Sequence, residues 1–385
     1  MVQRVHDVPL GYISWHAATP SDSPDAVPRL PSYRGVPVTR QTWTAIVSSL
    51  VFIALAAVLA FAPIPFVAWT PGATYDVLGT SDGQPVLRIE GITTYDTTGQ
   101  LRMTTVSQTR ADASLSLPEA LFAYVMPHRD VLPRDVVYAP GKSAGQVADE
   151  EKSLMSTAQF DAVVAALRAA GQPVQELPMV TSVRVSGPSN NKLQPGDLIL
   201  MVDNVAVSTN GDVVARIKDK GVGQKVVIQV QRQNTRLSVT IDTVGSATDG
   251  RVATIGVTVG TGYSYAPSVS FSLGPDVGGG SGGLMMALAV YDRITPGDLL
   301  KGQVVAGTGT MSATGEVGAI GGIQEKIAGA EAAKAKVFFV PAANCQDIAG
   351  ITSSMTLVKV STLKDAIDAL PLALNPTSGQ SPPAC

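Results

Sequence analysis

The sequence GGGSGG at residues 278–283 decides the local fold around Ser281. It follows an alternating apolar stretch at 268–273 and precedes an uninterrupted apolar run at 284–290. Alternation predicts a strand and the apolar run predicts a buried helix, so the expected order is strand, glycine turn, helix. Glycines allow positive φ, and the following helix N-terminus offers unpaired N–H groups to a developing oxyanion. A flexible linker is the alternative, which the flanking elements disfavour.

A serine hydroxyl becomes a good nucleophile only beside a base, and histidine is scarce in this chain. His6 and His16 lie in the N-terminal tail, and His128, in the main body, fits a structural role better. Lys326, in the stretch GGIQEK at 321–326, is the candidate base. Lysine is a base near pH 7 only if burial lowers its pKa of about 10.4 by roughly three units, at a cost of roughly 4 kcal/mol.

The predicted surroundings of Lys326 favour such burial. Residues 323–335 are expected to form a short helix with Ala330 and Ala333 on or near the lysine's face. Glu325 projects about 100° away around this helix, so it need not pair with the lysine. A helical lysine is ordinarily a solvated surface group, and its combination with the serine turn favours the catalytic interpretation.

A nucleotide site is a weaker interpretation of the same glycines. Gly278 to Gly283 satisfy the G-x-G-x-x-G spacing, but residues 302–307 supply no acid where a dinucleotide-binding fold needs one. Residues 141–143, Gly-Lys-Ser, lack the glycine five positions earlier that a phosphate loop requires. The chain therefore shows no ATPase motif.

An uncharged apolar run at 43–62 is long enough to span a bilayer. Basic residues precede it at positions 29, 34 and 40, and the next one is Arg88. The positive-inside rule therefore predicts a cytoplasmic N-terminus and an extracytoplasmic main body. We assign a disordered cytoplasmic tail to 1–40 and a transmembrane anchor to 41–69. A cleavable signal peptide is the alternative, because residues 60–62 resemble a cleavage site, although Pro63 would hinder cleavage.

Composition agrees with an anchored globular protein, with 45% hydrophobic residues, 15% charged residues and a net charge of −3, and it implies no nucleic-acid partner. Two cysteines and three histidines exclude a metal site, and no cofactor is expected. An oxidising compartment would permit a disulfide between Cys345 and Cys385, contributing roughly 3–4 kcal/mol. Two free thiols are the alternative.

The middle of the chain carries LQPGDLILMVDNV at residues 193–205, followed by a predicted helix at 210–220 and two predicted strands. This pattern closely resembles a PDZ domain. The resemblance implies that a peptide adds as a strand beside one of the module's own strands, next to a helix. We expect the groove between the strand at 180–185 and this helix, and the carboxylate-binding loop within 171–179.

Taken together, nearly everything after residue 40 resembles the membrane-anchored, PDZ-containing Lon-like serine peptidases of bacteria. In the Lon family the serine lies in a D-G-P-S-A-G-type turn and the lysine in G-G-L-K-E-K, which correspond here to 276–283 and 321–326. The resemblance implies that Ser281 and Lys326 form a Ser-Lys dyad and that Thr308 contacts the lysine amine.

Three positions depart from the family pattern. Gly280 replaces the usual proline before the serine, Gly282 replaces the alanine after it, and Thr310 replaces an acid. These departures retain the nucleophile and predict a more pliable turn.

The resemblance implies an α+β fold in which a Lon-like proteolytic domain contains an inserted PDZ domain and follows one transmembrane helix. We expect the peptidase at 71–148 and 245–372, the PDZ domain at 149–244 and a C-terminal tail at 373–385. A tandem arrangement is the alternative.

The implied function is an ATP-independent serine endopeptidase of the bacterial cell membrane that cleaves exported or membrane protein segments. Its expected partners are protein substrates, a peptide bound to the PDZ module and, as the resemblance implies, further copies in a homo-oligomeric ring. A non-catalytic, membrane-anchored PDZ scaffold is the alternative from another class.

Overall fold

The computed structural model describes residues 39–81, 83–233, 235–274, 277–375 and 379–385. The expected tail at 1–40 lies almost wholly outside these residues. The chain divides into two compact units, Met1–Ala57 and Val58–Cys385. The α-helices of the described residues are α1 (Arg40–Phe61), α2 (Leu117–Val125), α3 (Arg134–Val137), α4 (Ala144–Ala169), α5 (Asn210–Lys220), α6 (Gly283–Ile294), α7 (Ile323–Ala332) and α8 (Leu363–Leu374).

The β-strands are mostly short, and a 3-10 helix at Ala342–Ile348 precedes the last of them. In chain order they are β1 (Pro63–Ile64), β2 (Phe66–Asp76), β3 (Thr80–Ser81), β4 (Gln84–Pro85), β5 (Leu87–Glu90), β6 (Gln100–Gln108), β7 (Leu115–Ser116), β8 (Asp130–Pro133), β9 (Gln175–Val183), β10 (Leu198–Val202), β11 (Val205–Ala206), β12 (Lys225–Arg232), β13 (Thr235–Asp242), β14 (Val244–Gly245), β15 (Ala253–Thr254), β16 (Val257–Ser264), β17 (Ser268–Phe271), β18 (Val304–Gly307), β19 (Thr310–Met311), β20 (Val317–Gly318), β21 (Val337–Pro341) and β22 (Thr356–Val360).

Helix α1 is long and apolar enough to cross a membrane by its length and composition. It covers 22 residues and begins three residues before the predicted run at 43–62. Every residue from Arg40 to Leu59 is exposed. An apolar helix that buries nothing within the protein is suited to a surrounding of lipid.

The main sheet has the strand order β22-β21-β18-β6-β2-β8. Its first four strands are parallel to one another, and β2 pairs antiparallel with both β6 and β8. Both faces of β21 are buried: Phe339 packs into the cluster that contains α6, and Phe338 packs into the cluster that contains α7. A central parallel strand buried on two faces reads as a continuous apolar run, which explains the sequence VFFVP.

Helices α4 and α6 form one layer on this sheet. The residues of α6 from Gly283 to Val290 are all buried, as expected for a helix that is apolar all round. Helix α4 faces it with Ala158, Ala162 and Ala165, which recur at helical spacing and belong to the same core cluster. Small side chains let the two helix backbones approach closely. The opposite layer contains α7.

The second sheet has the order β13-β12-β10-β9-β16, with β11 paired to β10. Its core is aliphatic and includes Val213 and Ile217 of α5. The motif residue Asp197, almost fully buried, accepts hydrogen bonds from Arg232 at 2.7 and 2.8 Å and from the Gln194 N–H at 2.8 Å. A buried carboxylate needs such partners, which explains the acid in LQPGD.

The second sheet is an insertion, because the main sheet takes strands from both sides of it along the chain. The expected boundary at residue 149 falls inside α4, a helix whose inner face packs on α6 in the layer that covers the main sheet. The expected boundary at 244 precedes β16, which pairs with β9 along the second sheet. We therefore propose domain junctions near residues 170 and 265, each at the end of a continuous element.

The two cysteines are joined: Cys345 and Cys385 form a disulfide with Cα atoms 5.2 Å apart. Near it, the backbone N–H of Lys359 on β22 donates to the carbonyl of Pro383 at 2.9 Å. The C-terminal segment therefore covers part of the outer edge of the main sheet.

Candidate active site and peptide groove

The glycine turn lies between β17 and α6, as the sequence predicts. Gly279 has a φ of 79°, a value that side chains disfavour, and its N–H donates to the carbonyl of Glu151 on α4 at 3.0 Å. A Cβ atom at Gly282 would overlap the sulfur of Met103, and one at Gly283 would lie 2.8 Å from Met311. Gly279 is therefore favoured by its backbone conformation, and Gly282 and Gly283 are required by close packing, roles that need no bound nucleotide.

Lys326 lies in the first turn of α7, which Gly321 and the N-cap residue Gly322 directly precede. Gly322 adopts a left-handed conformation with φ of 68° at the helix N-cap. A Cβ at Gly321 would meet the ring of Trp69 at 2.7 Å, and one at Gly322 would meet Val106 at 2.5 Å. The two glycines therefore let α7 lie against β2 and β6. Lys326 is only 3% exposed in this position.

Thr308 directly follows strand β18, and its hydroxyl forms hydrogen bonds both to Ser281, just before α6, and to Lys326 in α7. The amine of Lys326 donates to the Thr308 hydroxyl at 3.1 Å, and that hydroxyl donates to the backbone carbonyl of Ser281 at 3.0 Å. The Gly309 N–H donates to the same carbonyl at 2.8 Å. The structure thus brings the three predicted site residues together, with the threonine between the lysine and the serine backbone.

Burial lowers the pKa of Lys326 to about 7, against a smaller opposing effect of Glu325. Removing an ammonium group from water disfavours its charged form, and no carboxylate among the described residues forms an ion pair with it. Burial therefore makes the neutral amine accessible near neutral pH.

Glu325 is a second buried ionisable group, and no pattern in the sequence predicts its burial. It is 1% exposed, and neither carboxyl oxygen has a hydrogen-bond partner among the described residues. Burial raises its pKa to about 7, with a further upward contribution from Asp130. It makes no hydrogen bond to Lys326, in agreement with the predicted helical offset. A protonated Glu325 leaves the lysine's lowered pKa undisturbed.

Two family models match the chain. The model of the PDZ domain matches residues 165–243, and the model of the Lon protease (S16) C-terminal proteolytic domain matches residues 275–374. The chain matches a PDZ-containing Lon-like peptidase. The Lon match includes all three predicted site residues, Ser281, Thr308 and Lys326.

No curated protein matches this Lon-like chain. Among solved structures, it is similar to the PDZ domain of the SdrC-like protein from Listeria monocytogenes, with 25% identity, coverage of 21% of this chain and 85% of that one, and a TM-score of 0.20. The PDZ domain of the SdrC-like protein from Listeria innocua gives 24% identity, 22% and 92% coverage, and a TM-score of 0.20.

One departure from the Lon pattern has a packing explanation. The family's alanine after the serine is Gly282 here, where the side chain of Met103 occupies the space of a methyl group. The backbone carbonyl of Glu151, which fixes Gly279, is a contact that sequence reasoning missed. Met103 and Glu151 are both distant from the turn along the chain and belong to no local motif, so no pattern in the sequence indicates these contacts.

The expected peptide groove of the PDZ domain is wrong in one respect. We expected a peptide to add beside the strand at 180–185, but β16 pairs antiparallel with β9 from Val183 to Gln175 and fills that edge. The edge strand comes from beyond the stretch that resembles a PDZ domain, which is why the sequence pattern did not reveal it. On the β9 side, the edge strand of the sheet among the described residues is therefore β16, and β13 is the edge strand on the other side.

A cavity of about 370 Å³ lies between α5 and β16. Val214 and Ile217 line it from the helix, and Val257 and Val259 line it from the strand. The residues between β13 and β16 close one side, including Ser246 and Thr248 of the β14–β15 hairpin region. An apolar cleft beside an unpaired strand edge is the arrangement that strand-adding peptides use. No group of three His, Cys, Asp or Glu side chains suited to a metal occurs among the described residues.

Proposed function

We propose that this chain is an ATP-independent, membrane-anchored serine endopeptidase in which Ser281 is the nucleophile and Lys326 the general base. One observation carries the proposal: the lysine amine is buried, and a single threonine hydroxyl connects it to the backbone of Ser281. A surface lysine could not act as a base near neutral pH, because its pKa would stay near 10.4.

The neutral lysine performs the proton transfers. Its amine donates one hydrogen to Thr308, which orients the nitrogen lone pair. The lone pair takes the proton of the Ser281 hydroxyl as its oxygen attacks the peptide carbonyl, and the resulting ammonium group protonates the leaving amine. Water then hydrolyses the acyl-enzyme by the same transfers in reverse order. Thr308 thus acts by positioning the base.

The start of α6 supplies the oxyanion site in this mechanism. Within the described part of the chain, the backbone N–H groups of Ser281 and Gly282 have no recorded acceptor. They lie at the N-terminus of a buried helix, where the helix dipole also favours negative charge. Preorganised donors of this kind are typically worth about 3–4 kcal/mol of transition-state stabilisation.

The remaining parts of the proposal concern placement and recognition. Helix α1 holds the chain in the bacterial cell membrane, with the basic residues before it in the cytoplasm and the peptidase outside, so substrates are exported or membrane protein segments. The PDZ domain binds a substrate or regulatory peptide, which adds to the free edge of β16 and places apolar side chains in the cleft against α5.

The test is cleavage of casein, without ATP, by the full chain in detergent micelles. We expect Ser281→Ala and Lys326→Ala each to abolish cleavage. The matched controls are Ser153→Ala, on an exposed position of α4, and Lys364→Ala, whose side chain is exposed on α8, and both should cleave normally. Unchanged cleavage by either site variant would contradict the dyad. Absence of cleavage by the parent, also with added peptides, would favour a non-catalytic scaffold.

A further inference from the structure

Helix α2 packs on the protein with its small residues and turns its large ones outward. Ala120 and Ala123 are buried against neighbouring strands. The outward residues are large and apolar, with Tyr124 75% exposed and Leu121 61% exposed. We call this set the α2 patch; its members are Leu117, Leu121, Phe122, Tyr124 and Val125.

The α2 patch forms one continuous face. At 100° per residue, its five members cover an arc of about 160°, and the two buried alanines lie on the opposite side. The helix contains one acidic residue, Glu119, and no basic one. Its carboxylate accepts two hydrogen bonds at 2.8 Å from the N-cap residue Ser116, and it lies outside the arc of the patch. A helix on a protein surface normally exposes its polar residues to water and buries its large apolar residues.

Helix α2 begins close in space to the end of α1. Strand β1 begins two residues after the end of α1, and it pairs with β7, whose last residue directly precedes α2. Pro63 is the partner of Ser116 in this pairing. With a paired Cα distance of about 5.5 Å and at most about 3.6 Å per residue, α2 begins within about 16 Å of the last residue of α1.

We propose that the α2 patch is a second membrane contact, inserted into the interface of the bilayer that α1 crosses. This rests on the membrane anchoring in the proposed function. Amphipathic helices bind lipid with such a face, and Phe122 and Tyr124 are residue types that suit the headgroup level. The guanidinium of Arg129 lies 5.5 Å from the Phe122 ring centre, where it can meet lipid phosphates.

The contact has a functional consequence. A chain held by one helix is free to turn about the residues that follow it, whereas a second contact fixes which side of the peptidase faces the lipid. The strand β2, which starts between the two contacts, continues to Trp69 beside Gly321 at the start of α7. The patch therefore holds the peptidase at a fixed distance from the membrane surface, where it can meet substrate segments that emerge from the bilayer.

The experiment uses the full chain in vesicles of phosphatidylcholine and phosphatidylglycerol. Leu121→Cys and Tyr124→Cys are each labelled with the polarity-sensitive dye NBD, and Lys364→Cys on α8 is the matched control. The native cysteines are joined in a disulfide and do not react without reductant. Flotation reports anchoring by α1, while dye emission and quenching by nitroxide-labelled lipid report the position of the patch.

We expect all three variants to float, with blue-shifted emission and quenching by nitroxide lipid at positions 121 and 124 and neither change at 364. Floating vesicles whose dyes at all three positions report water would overturn the inference and leave anchoring intact. Blue-shifted emission at positions 121 and 124 that is not quenched by nitroxide lipid, and that increases with the protein-to-lipid ratio, would show that a second copy of the chain covers the patch. That result would also overturn the inference. Failure to float would overturn the anchoring, and the inference with it.

Discussion

The proposed dyad and the proposed peptide groove differ in how far they are buried. Lys326 and Thr308 of the proposed dyad region are buried, and the Thr308 hydroxyl makes two hydrogen bonds of 3.1 and 3.0 Å, one to Lys326 and one to the Ser281 carbonyl. The groove between α5 and β16 is an open cleft lined by several valines and isoleucines. Chemistry at the first therefore depends on individual atoms, while recognition at the second depends on apolar area. Substitutions should have large effects at the dyad and smaller ones in the groove.

The largest effect that distinguishes the two regions is expected for Thr308→Val, which keeps the shape of the side chain and removes its hydroxyl. The lysine amine then loses the only hydrogen-bond acceptor that it has among the described residues. Misplacement of a catalytic group typically costs about 100-fold, so kcat should fall by about that factor while KM changes little. Steady-state cleavage of a fluorogenic casein measures both constants.

Thr310→Val is the matched control for this prediction. Thr310 follows closely in the chain, and its hydroxyl donates to neither Lys326 nor Ser281 in the described structure. The kcat of Thr310→Val should stay within about twofold of the parent value, whereas misplacement of the catalytic lysine is expected to lower kcat by about 100-fold. Equal losses in the two variants would mean that the hydroxyl of Thr308 has no positioning role.

In the groove, Val214→Asp should weaken peptide binding by about tenfold or more, because it places a charge in an apolar cleft. Val214 is already partly exposed, so the PDZ fold should persist. The measurement is the affinity of the full chain for peptides that it selects from a random library. Val222→Asp, of similar exposure but outside the cleft, should bind normally. Identical affinities in parent and Val214→Asp would place the peptide elsewhere.

A smaller effect is expected for Glu325→Gln. The charge of an ionised Glu325 raises the pKa of Lys326, so the neutral amide should lower it. The rise of kcat/KM with pH should then move to lower pH by less than about one unit, with activity at pH 7 retained. Glu316→Gln, an exposed acid, should leave the profile in place. A shift to higher pH would show that Glu325 does not act through its charge.

The residues of the proposed dyad could be predicted from the sequence better than the groove could. The signals for the proposed dyad are local in the sequence, whereas the groove depends on contacts between residues far apart in the chain. The turn at 278–283 and the glycines before Lys326 are local signals, and their elements form close to where the pattern put them. The buried state of Glu325 depends on the packing of α7 against β2 and β6, which lie far away in the chain. The edge strand β16 follows the PDZ pattern instead of belonging to it, so the groove could not be placed correctly from the motif alone.

The departures from the Lon pattern show the same limit. The sequence suggests that Gly282 makes the turn pliable, whereas the structure shows Met103 filling the space beside it. Packing against a residue about 180 positions away leaves no periodic or motif signal.

The role of Lys326 as the general base is best tested by the pH dependence of kcat/KM for casein cleavage by the full chain. If neutral Lys326 is the base, kcat/KM falls about tenfold per pH unit below its pKa and levels off above it, and that pKa is about 7. We expect this rise in the parent and no activity in Lys326→Ala at any pH. A profile that keeps rising towards pH 10, as for an unburied lysine, or a Lys326→Ala variant that retains the rise through pH 7, would contradict it.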